Sequence, residues 1–466
     1  MTINYIIYYI NVFFFFYMFL YAVVFFLTTI LASLNLDDFF VRKKHLSYSI
    51  LKNEANYIPV SILVPAYNEE VTIIDTINSL LNLDYPEYEI IVINDGSTDN
   101  TAKLIIDNFN LKQVARPIEK LVPCKAEKEV YENNEGIKIV LVNKENGGKS
   151  DALNMGINVS RFPLFVCVDA DSLLQYDSLK KIVEPFLESD DTIAVGGNIK
   201  VSNQVVLDKG RVVEVTVPKK KMVIFQMIEY LRVFLNSRVS FNGLNANMII
   251  SGAFGIYNKQ AVINVGGYSL GVIGEDMEIV VKMHAFYRKN KLPYKIAYVP
   301  DAICWTQVPE SHKVLKNQRR RWHTGLSESL KNHWFVNFNP RYGTVGFVAY
   351  PYFLLFEYIT PILEVLGITT IILSFILKII NTRFFIFYLL VYMGYNMVVS
   401  MIAVLLDKCL FGKDLPNNIF YKQFLYCIIE SFGYRQLCSL YRLGAFNPFK
   451  KKVWGNMVRT KQQVVE

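Results

Sequence analysis

The first charged side chain in this chain is Asp37; residues 1–36 are uncharged and rich in Phe, Tyr, Ile and Leu. About 20 consecutive apolar residues suffice to cross the hydrocarbon of a bilayer. Backbone placed there must satisfy its own hydrogen bonds, which leaves a helix as the fold of a single segment. A cleaved leader would begin with basic residues and carry a short apolar run before a small-residue cleavage site. This segment has neither Lys nor Arg, and its run is too long. Residues 1–40 therefore read as a permanent transmembrane anchor. Arg42, Lys43 and Lys44 follow it directly. Positive charge marks the cytoplasmic flank, so the N-terminus faces out and the chain beyond residue 40 starts inside the cell membrane.

The far end is apolar again. Residues 343–380 form a hydrophobic block broken by Pro351, Glu357, Pro361 and Glu364, and residues 384–406 carry no charge. Residues 419–440 are apolar but hold Lys422, Glu430 and Arg435, which fits a poor span or an interfacial helix. Residues 341–440 thus read as transmembrane and interfacial helices. The tail 441–466 contains Lys450, Lys451, Lys452, Arg459 and Lys461, which places it inside. With both ends of this region inside, the C-terminal spans are even in number: four if 343–380 is a bent helical pair, two otherwise. The expectation is a multi-pass protein of the plasma membrane with the bilayer as a partner.

The net charge of +8 has its source in the membrane flanks. Nucleic-acid binding would need a basic face on a recognisable module; none is present, so no nucleic-acid partner is expected. The six cysteines have no metal-binding or disulfide spacing, and the five histidines are scattered, which argues against zinc.

Between the apolar ends lies a segment, 41–340, of a different kind. Short apolar runs at 60–65, 89–93, 137–142, 164–168 and 192–195 alternate with amphipathic stretches such as 70–82, where Ile73, Ile74, Ile77, Leu80 and Leu81 share one face. This alternation predicts an α/β fold with a mainly parallel sheet covered on both sides. Ligands of such sheets bind beyond the carboxyl ends of the strands. Residues 112–136 carry ten charged residues and little periodicity, and read as a partly mobile insertion. Residues 198–217 read as a β-hairpin around Asp208-Lys209-Gly210, followed by an amphipathic helix near 222–236. A basic, Trp-containing helix near 312–335 reads as interfacial.

Polar motifs stand at the strand ends. VPAYNEE (64–70) offers the Tyr67 ring and the Glu69 carboxylate, although Asn68 with Glu69 and Glu70 would equally cap a helix. In INDGSTDNT (93–101), Asp95 is placed to accept from a nucleobase N–H, and the rest suits a turn. NKENGGKSDALN (143–154) sets Lys149 behind Gly147 and Gly148, where a backbone can approach phosphate closely. It lacks the P-loop spacing. The D-A-D triplet at 169–171 ends an apolar run; Asp169 and Asp171 can hold a hard divalent cation against a diphosphate. GGYSLGVIGEDMEI (266–279) presents Glu275 and Asp276, one of which could act as a general base, or both of which could simply favour a helix N-terminus. QRRRW (318–322) supplies Gln318, Arg321 and Trp322, and CWTQVPES adds Trp305; indole faces suit the apolar face of a pyranose.

Asp95, D-A-D, G-E-D and Q-x-x-R-W in this order and spacing resemble the processive family-2 glycosyltransferases, which include hyaluronan, cellulose, chitin and poly-N-acetylglucosamine synthases. The likeness covers about residues 58–335, and CWTQVPES followed by QRRRW is similar to the bacterial poly-N-acetylglucosamine synthase type. The resemblance implies a GT-A (Rossmann-like) fold and inverting transfer from a UDP-sugar. It implies that Tyr67, Glu69 and Asp95 bind uridine, that Lys149 approaches the diphosphate, and that Asp169 and Asp171 hold Mg²⁺ or Mn²⁺. Asp276 becomes the general base, with Gln318, Arg321 and Trp322 at the diphosphate and acceptor end. The implied partners are a UDP-sugar donor and a polysaccharide or glycolipid acceptor, with accessory export proteins as further candidates. The alternatives left open are a single-sugar transferase acting on a lipid carrier or glycolipid, a catalytically inactive nucleotide-sugar-binding membrane partner, and a nucleotidyltransferase.

Overall fold

The computed structural model describes residues 2–46, 57–203, 205–379, 382–411 and 416–446. Twelve strands follow one another among the described residues: β1 (Val60–Ala66), β2 (Tyr88–Asn94), β3 (Lys112–Val114), β4 (Glu127–Glu132), β5 (Lys138–Lys144), β6 (Leu164–Val168), β7 (Ser172–Leu174), β8 (Thr192–Val201), β9 (Val205–Asp208), β10 (Arg211–Val215), β11 (Phe254–Asn258) and β12 (Lys295–Thr306). Ten form one sheet in the order β3-β4-β5-β2-β1-β6-β11-β8-β12-β7, and β9 pairs with β10 separately. The pairs β5–β2, β2–β1, β1–β6 and β8–β12 are parallel.

The apolar runs become strands because both faces of the sheet are covered. Side chains alternate between faces: Val60, Ile62, Val64, Ile90 and Val92 enter one core, while Leu63, Ile91 and Ile93 enter the other. Register then decides what lies beyond the sheet. Ala66 stands beside Asn94, and Asn94 beside Asn143, so the loops leaving β1, β2 and β5 emerge level with one another. Phe254 of antiparallel β11 pairs with Val168 at the end of β6, which brings Ser251 and Gly252 to the same edge.

Several expectations need correction. The 112–136 segment, read as a partly mobile insertion with little periodicity, carries two strands of the main sheet. β3 and β4 extend the sheet edge by antiparallel pairing, and Arg116 holds Glu132 at 2.6 Å. Its high charge is that of an edge strand with one face in water. The hairpin is shorter than 198–217: residues 198–201 belong to β8, and only β9 and β10 fold back, with Lys209 and Gly210 at positive φ in the turn. Asn68 caps no helix, since the helix Ile73–Leu81 begins after Thr72. At φ 55°, Asn68 instead accepts from Thr98 N at 2.8 Å and ties the first loop to the second.

The N-terminal helix runs unbroken over Thr2–Leu46. Lys43, one of the three cations read as the cytoplasmic flank, turns inward to Asp301 and, at 3.6 Å, to Glu184. Asn35 donates to the Val239 carbonyl at 3.0 Å, and Asn236 to Thr29 at 2.9 Å, so the helix is bonded to the helical segment after Lys221. Two helices among the described residues are long and apolar enough to cross a membrane, Tyr5–Lys43 and Phe385–Phe411. Val345–Tyr358 and Thr360–Ile376, bent by 42°, make up to a third if they form one span. Among the described residues the C-terminal candidates by length and composition are therefore one, or two if the bent pair is one span. The 419–440 segment is two helices, Asn417–Glu430 and Tyr434–Leu443, parted at Gly433. Glu430 and Arg435 are paired inside at 3.4 Å, with both Glu430 oxygens also accepting from Arg232 at 2.6 Å. Tail residues 447–466 lie outside the described residues.

Candidate active site

Asp95 follows β2 directly, and its oxygens are engaged. Oδ1 accepts from Lys144 Nζ at 2.7 Å and Gly147 N at 2.9 Å; Oδ2 accepts from Gly148 N at 2.8 Å. The residue expected to read a nucleobase thus also holds the glycine loop in place. Lys144 is fully buried between Asp95 and Asp151, 2.6 Å from the latter. Sequence reasoning missed it; a lysine within NKENGG looks like any surface cation. Gly147 has a steric cause, because a Cβ there would lie 2.4 Å from Asp151 Cγ. Gly148, at φ 87°, then opens the helix Lys149–Val159.

Lys149 joins two motifs. Its Nζ lies 2.6 Å from Asp169 of D-A-D and 3.1 Å from Glu275 of G-E-D. Burial works against its charge, but the two carboxylates outweigh burial and raise its pKa. Burial also raises the pKa of Glu275, with Lys149 opposing and Asp276 adding to the rise. Gly252 leaves room for this cluster: a Cβ there would stand 2.9 Å from Lys149 Nζ. Asp276 is only half-buried, and its Oδ1 accepts from the Met277 N–H at 2.9 Å. Glu275 is thus committed to Lys149, while Asp276 faces open space.

Q-x-x-R-W lies on the helix His312–Asn332, which crosses the G-E-D loop at a contact between glycines. A Cβ on either Gly274 or Gly325 would sit 2.7 Å from the other's Cα. Glu328, one turn on, accepts from Ile273 N at 2.9 Å. The carboxylates at the start of the helix Glu275–Lys289 are therefore fixed against the Q-x-x-R-W helix. Its three arginines do not all point to headgroups. Arg319 is fully buried on Glu229, whereas Arg321 faces the site. The Gln318 side-chain carbonyl is buried with no hydrogen-bond partner among the described residues.

A cavity of about 1690 Å³ unites these parts. Tyr67, Glu69, Asp95, Lys149, Asp169, Asp171, Glu275, Asp276, Gln318, Arg321 and Trp322 all line it. Trp305 does not. It is buried among Leu173, Val205, Leu207 and Ile303, beneath the β9–β10 hairpin, so it is a core residue and not a sugar platform. Thr306 and Gln307 reach the wall in its place. From Trp322 the cavity continues between the apolar helices, past Tyr17, Phe356, Glu364, Tyr392 and Arg435.

A sheet of this order, with acidic motifs along its carboxyl edge opening on one cavity, is the architecture of the GT-A fold. A mannosyltransferase of Pyrobaculum calidifontis, solved with GDP-Man and Mn²⁺, shares the fold at a TM-score of 0.50 and 16% identity, over 84% of this chain and 99% of that one. The family model Glycosyl transferase family 2 matches residues 61–266, and Glycosyl transferase family group 2 matches residues 164–403. A poly-beta-1,6-N-acetyl-D-glucosamine synthase of Staphylococcus epidermidis is 30% identical over 84% of this chain and 86% of its own length. Its Staphylococcus aureus counterpart is 33% identical over 66% of this chain and 62% of its own length. The chain belongs to glycosyltransferase family 2.

Proposed function

We propose that this protein is a membrane-embedded, inverting synthase that transfers N-acetylglucosamine from UDP-N-acetylglucosamine to the end of a growing β-linked polysaccharide and passes the product between its membrane helices. The observation that carries this reading is the single cavity running from the strand-end motifs past Trp322 to the apolar helices. A transferase acting on a soluble acceptor needs no such extension, and product length separates a polymer from a single addition to a lipid carrier. The names of the staphylococcal relatives support the sugar and the polymer. The catalytic domain faces the cytoplasm in this reading, where nucleotide-sugars are made.

The donor set fits Mg²⁺ or Mn²⁺. Asp169 and Asp171 are hard oxygen donors on the cavity wall, and the described residues contain no cluster of three His, Cys, Asp or Glu. Two carboxylates, with diphosphate oxygens completing the shell, is the common way to hold Mg²⁺. When bound, the ion would neutralise charge on the departing diphosphate. Tyr67 and Glu69 flank the nucleoside, and Asp95 shapes this end through the glycine loop. Lys149 and Arg321 orient the diphosphate, and the unpartnered Gln318 carbonyl accepts from a hydroxyl or N–H of the sugar next to it. Such pre-set charges and dipoles are typically the largest source of rate. Asp276 takes the proton of the attacking acceptor hydroxyl while Glu275 keeps Lys149 in place. Direct displacement at the anomeric carbon inverts its configuration. Trp322 offers its ring to the terminal sugar.

Purified protein in detergent, given UDP-N-acetylglucosamine or UDP-glucose with Mg²⁺ or Mn²⁺, tests this. Release of UDP with a product of many sugars is expected from the first donor. A product extended by one sugar would establish the single-sugar transferase, and no UDP release with any donor would establish the inactive binding partner.

A further inference from the structure

Trp322 is 43% exposed on the cavity wall, and a ring so open needs something behind it to hold one orientation. Arg319 stands there. It lies three residues earlier on the same helix face, and its guanidinium carbon is 4.5 Å from the indole centroid. It is the largest fully buried side chain among the described residues. Its Nη2 donates to Glu229 at 2.7 Å, while Nε and Nη1 have no partner among the described residues. A buried guanidinium with one carboxylate and two unmet donors is a poor way to stabilise a fold, since apolar replacements of such pairs are often neutral or better.

Glu229 explains where the pair is anchored. It also accepts from the Tyr434 hydroxyl at 3.2 Å and faces Arg442 at 3.6 Å. Both belong to the helix Tyr434–Leu443, which borders the cavity beyond Trp322. We infer that Arg319 and Glu229 are positioning residues that set the face of Trp322 toward the acceptor end and tie it to the membrane-side helix. This rests on the reading of Trp322 as the acceptor platform. Arg319 touches the back of the ring and no reacting group.

Arg319→Lys is the informative change, because lysine keeps the charge and the reach to Glu229 but loses the planar stacking face. The expected result is an unchanged KM for UDP-N-acetylglucosamine with a mean product length lowered at least about 2-fold and at most about 30-fold, the upper figure being full loss of a cation–π contact of which a lysine ammonium can keep a part. In a Trp322→Ala background, Arg319→Lys should change product length no further. Glu229→Gln, which keeps size and shape, should shorten the product in the same direction and serves if the lysine variant fails to fold. Native product length in a folded Arg319→Lys or Glu229→Gln variant, or a further loss in the Trp322→Ala background, overturns the pairing. If Trp322→Ala itself makes product of native length, the platform reading falls, and the positioning role falls with it.

Discussion

Replacing Gly325 by alanine adds one methyl carbon at the crossing of the two helices that carry the carboxylates and Q-x-x-R-W. In the native geometry that carbon would stand 2.7 Å from Gly274 Cα and 2.9 Å from Gly274 N, as seen from the reciprocal contacts, where ordinary contact begins near 3.4 Å. The obstacle is backbone on both sides, so no side chain can rotate away. The helix His312–Asn332 must move from the loop by roughly 0.7 Å. Overpacking of this kind costs about 1–3 kcal/mol. The larger effect falls on rate: Gln318, Arg321 and Trp322 ride on the displaced helix, and a misplacement near 1 Å can cost about 10²-fold. Gly325→Ala should therefore melt earlier in detergent and release UDP tens of times more slowly. Gly394→Ala is the control, since a Cβ there meets nothing within 4 Å and alanine favours the helix. Native UDP release and native melting in Gly325→Ala would refute the idea that the glycine contact sets the site.

The remaining predictions concern single side chains. Asp276→Asn should lower the transfer rate about 10²- to 10⁴-fold while UDP-sugar binding, followed by calorimetry, survives; a loss of less than tenfold would move the base elsewhere. Asp171→Asn should abolish turnover with little effect on melting, EDTA should do the same to the native protein, and Mn²⁺ or Mg²⁺ should restore the latter. Full activity in chelator would remove the metal from the reaction. Lys144→Met leaves Asp95 and Asp151 buried without their shared cation and should cost about 3–5 kcal/mol in denaturant titration. Trp305→Phe keeps a ring under the hairpin but leaves part of the indole's space empty, so it should destabilise, by less than the ~3–5 kcal/mol of a full truncation to alanine, with product length untouched. A shortened product would return Trp305 to the acceptor path.

Local chemistry made much of this protein legible. An uncharged run of 36 residues admits one kind of structure in a bilayer. Buried strands of a parallel sheet are apolar on both faces, so 60–65, 89–93 and 164–168 were readable as strands with polar motifs just past their ends. Six of the site residues, Tyr67, Glu69, Asp95, Lys149, Asp169 and Asp171, share one cavity wall for that reason, and the helices Glu275–Lys289 and His312–Asn332 bring five more to it. What local pattern could not carry was the partner of each residue. β3 and β4 are charged because they lie at the sheet edge, which only the pairing reveals. Trp305 and Trp322 stand in equally polar motifs, and a hairpin some 90 residues upstream in sequence covers the first. Lys144 and Arg319 read as surface cations until Asp95, Asp151 and Glu229 are brought against them. Gly274 and Gly325 carry no signal singly, because each is required only by the other's backbone. Strand periodicity is an interaction of neighbours with water and lipid, and a sequence records it directly. Charge pairing, ring coverage and backbone contact are pairwise terms between distant residues, and they acquire a value only when the fold sets the distance.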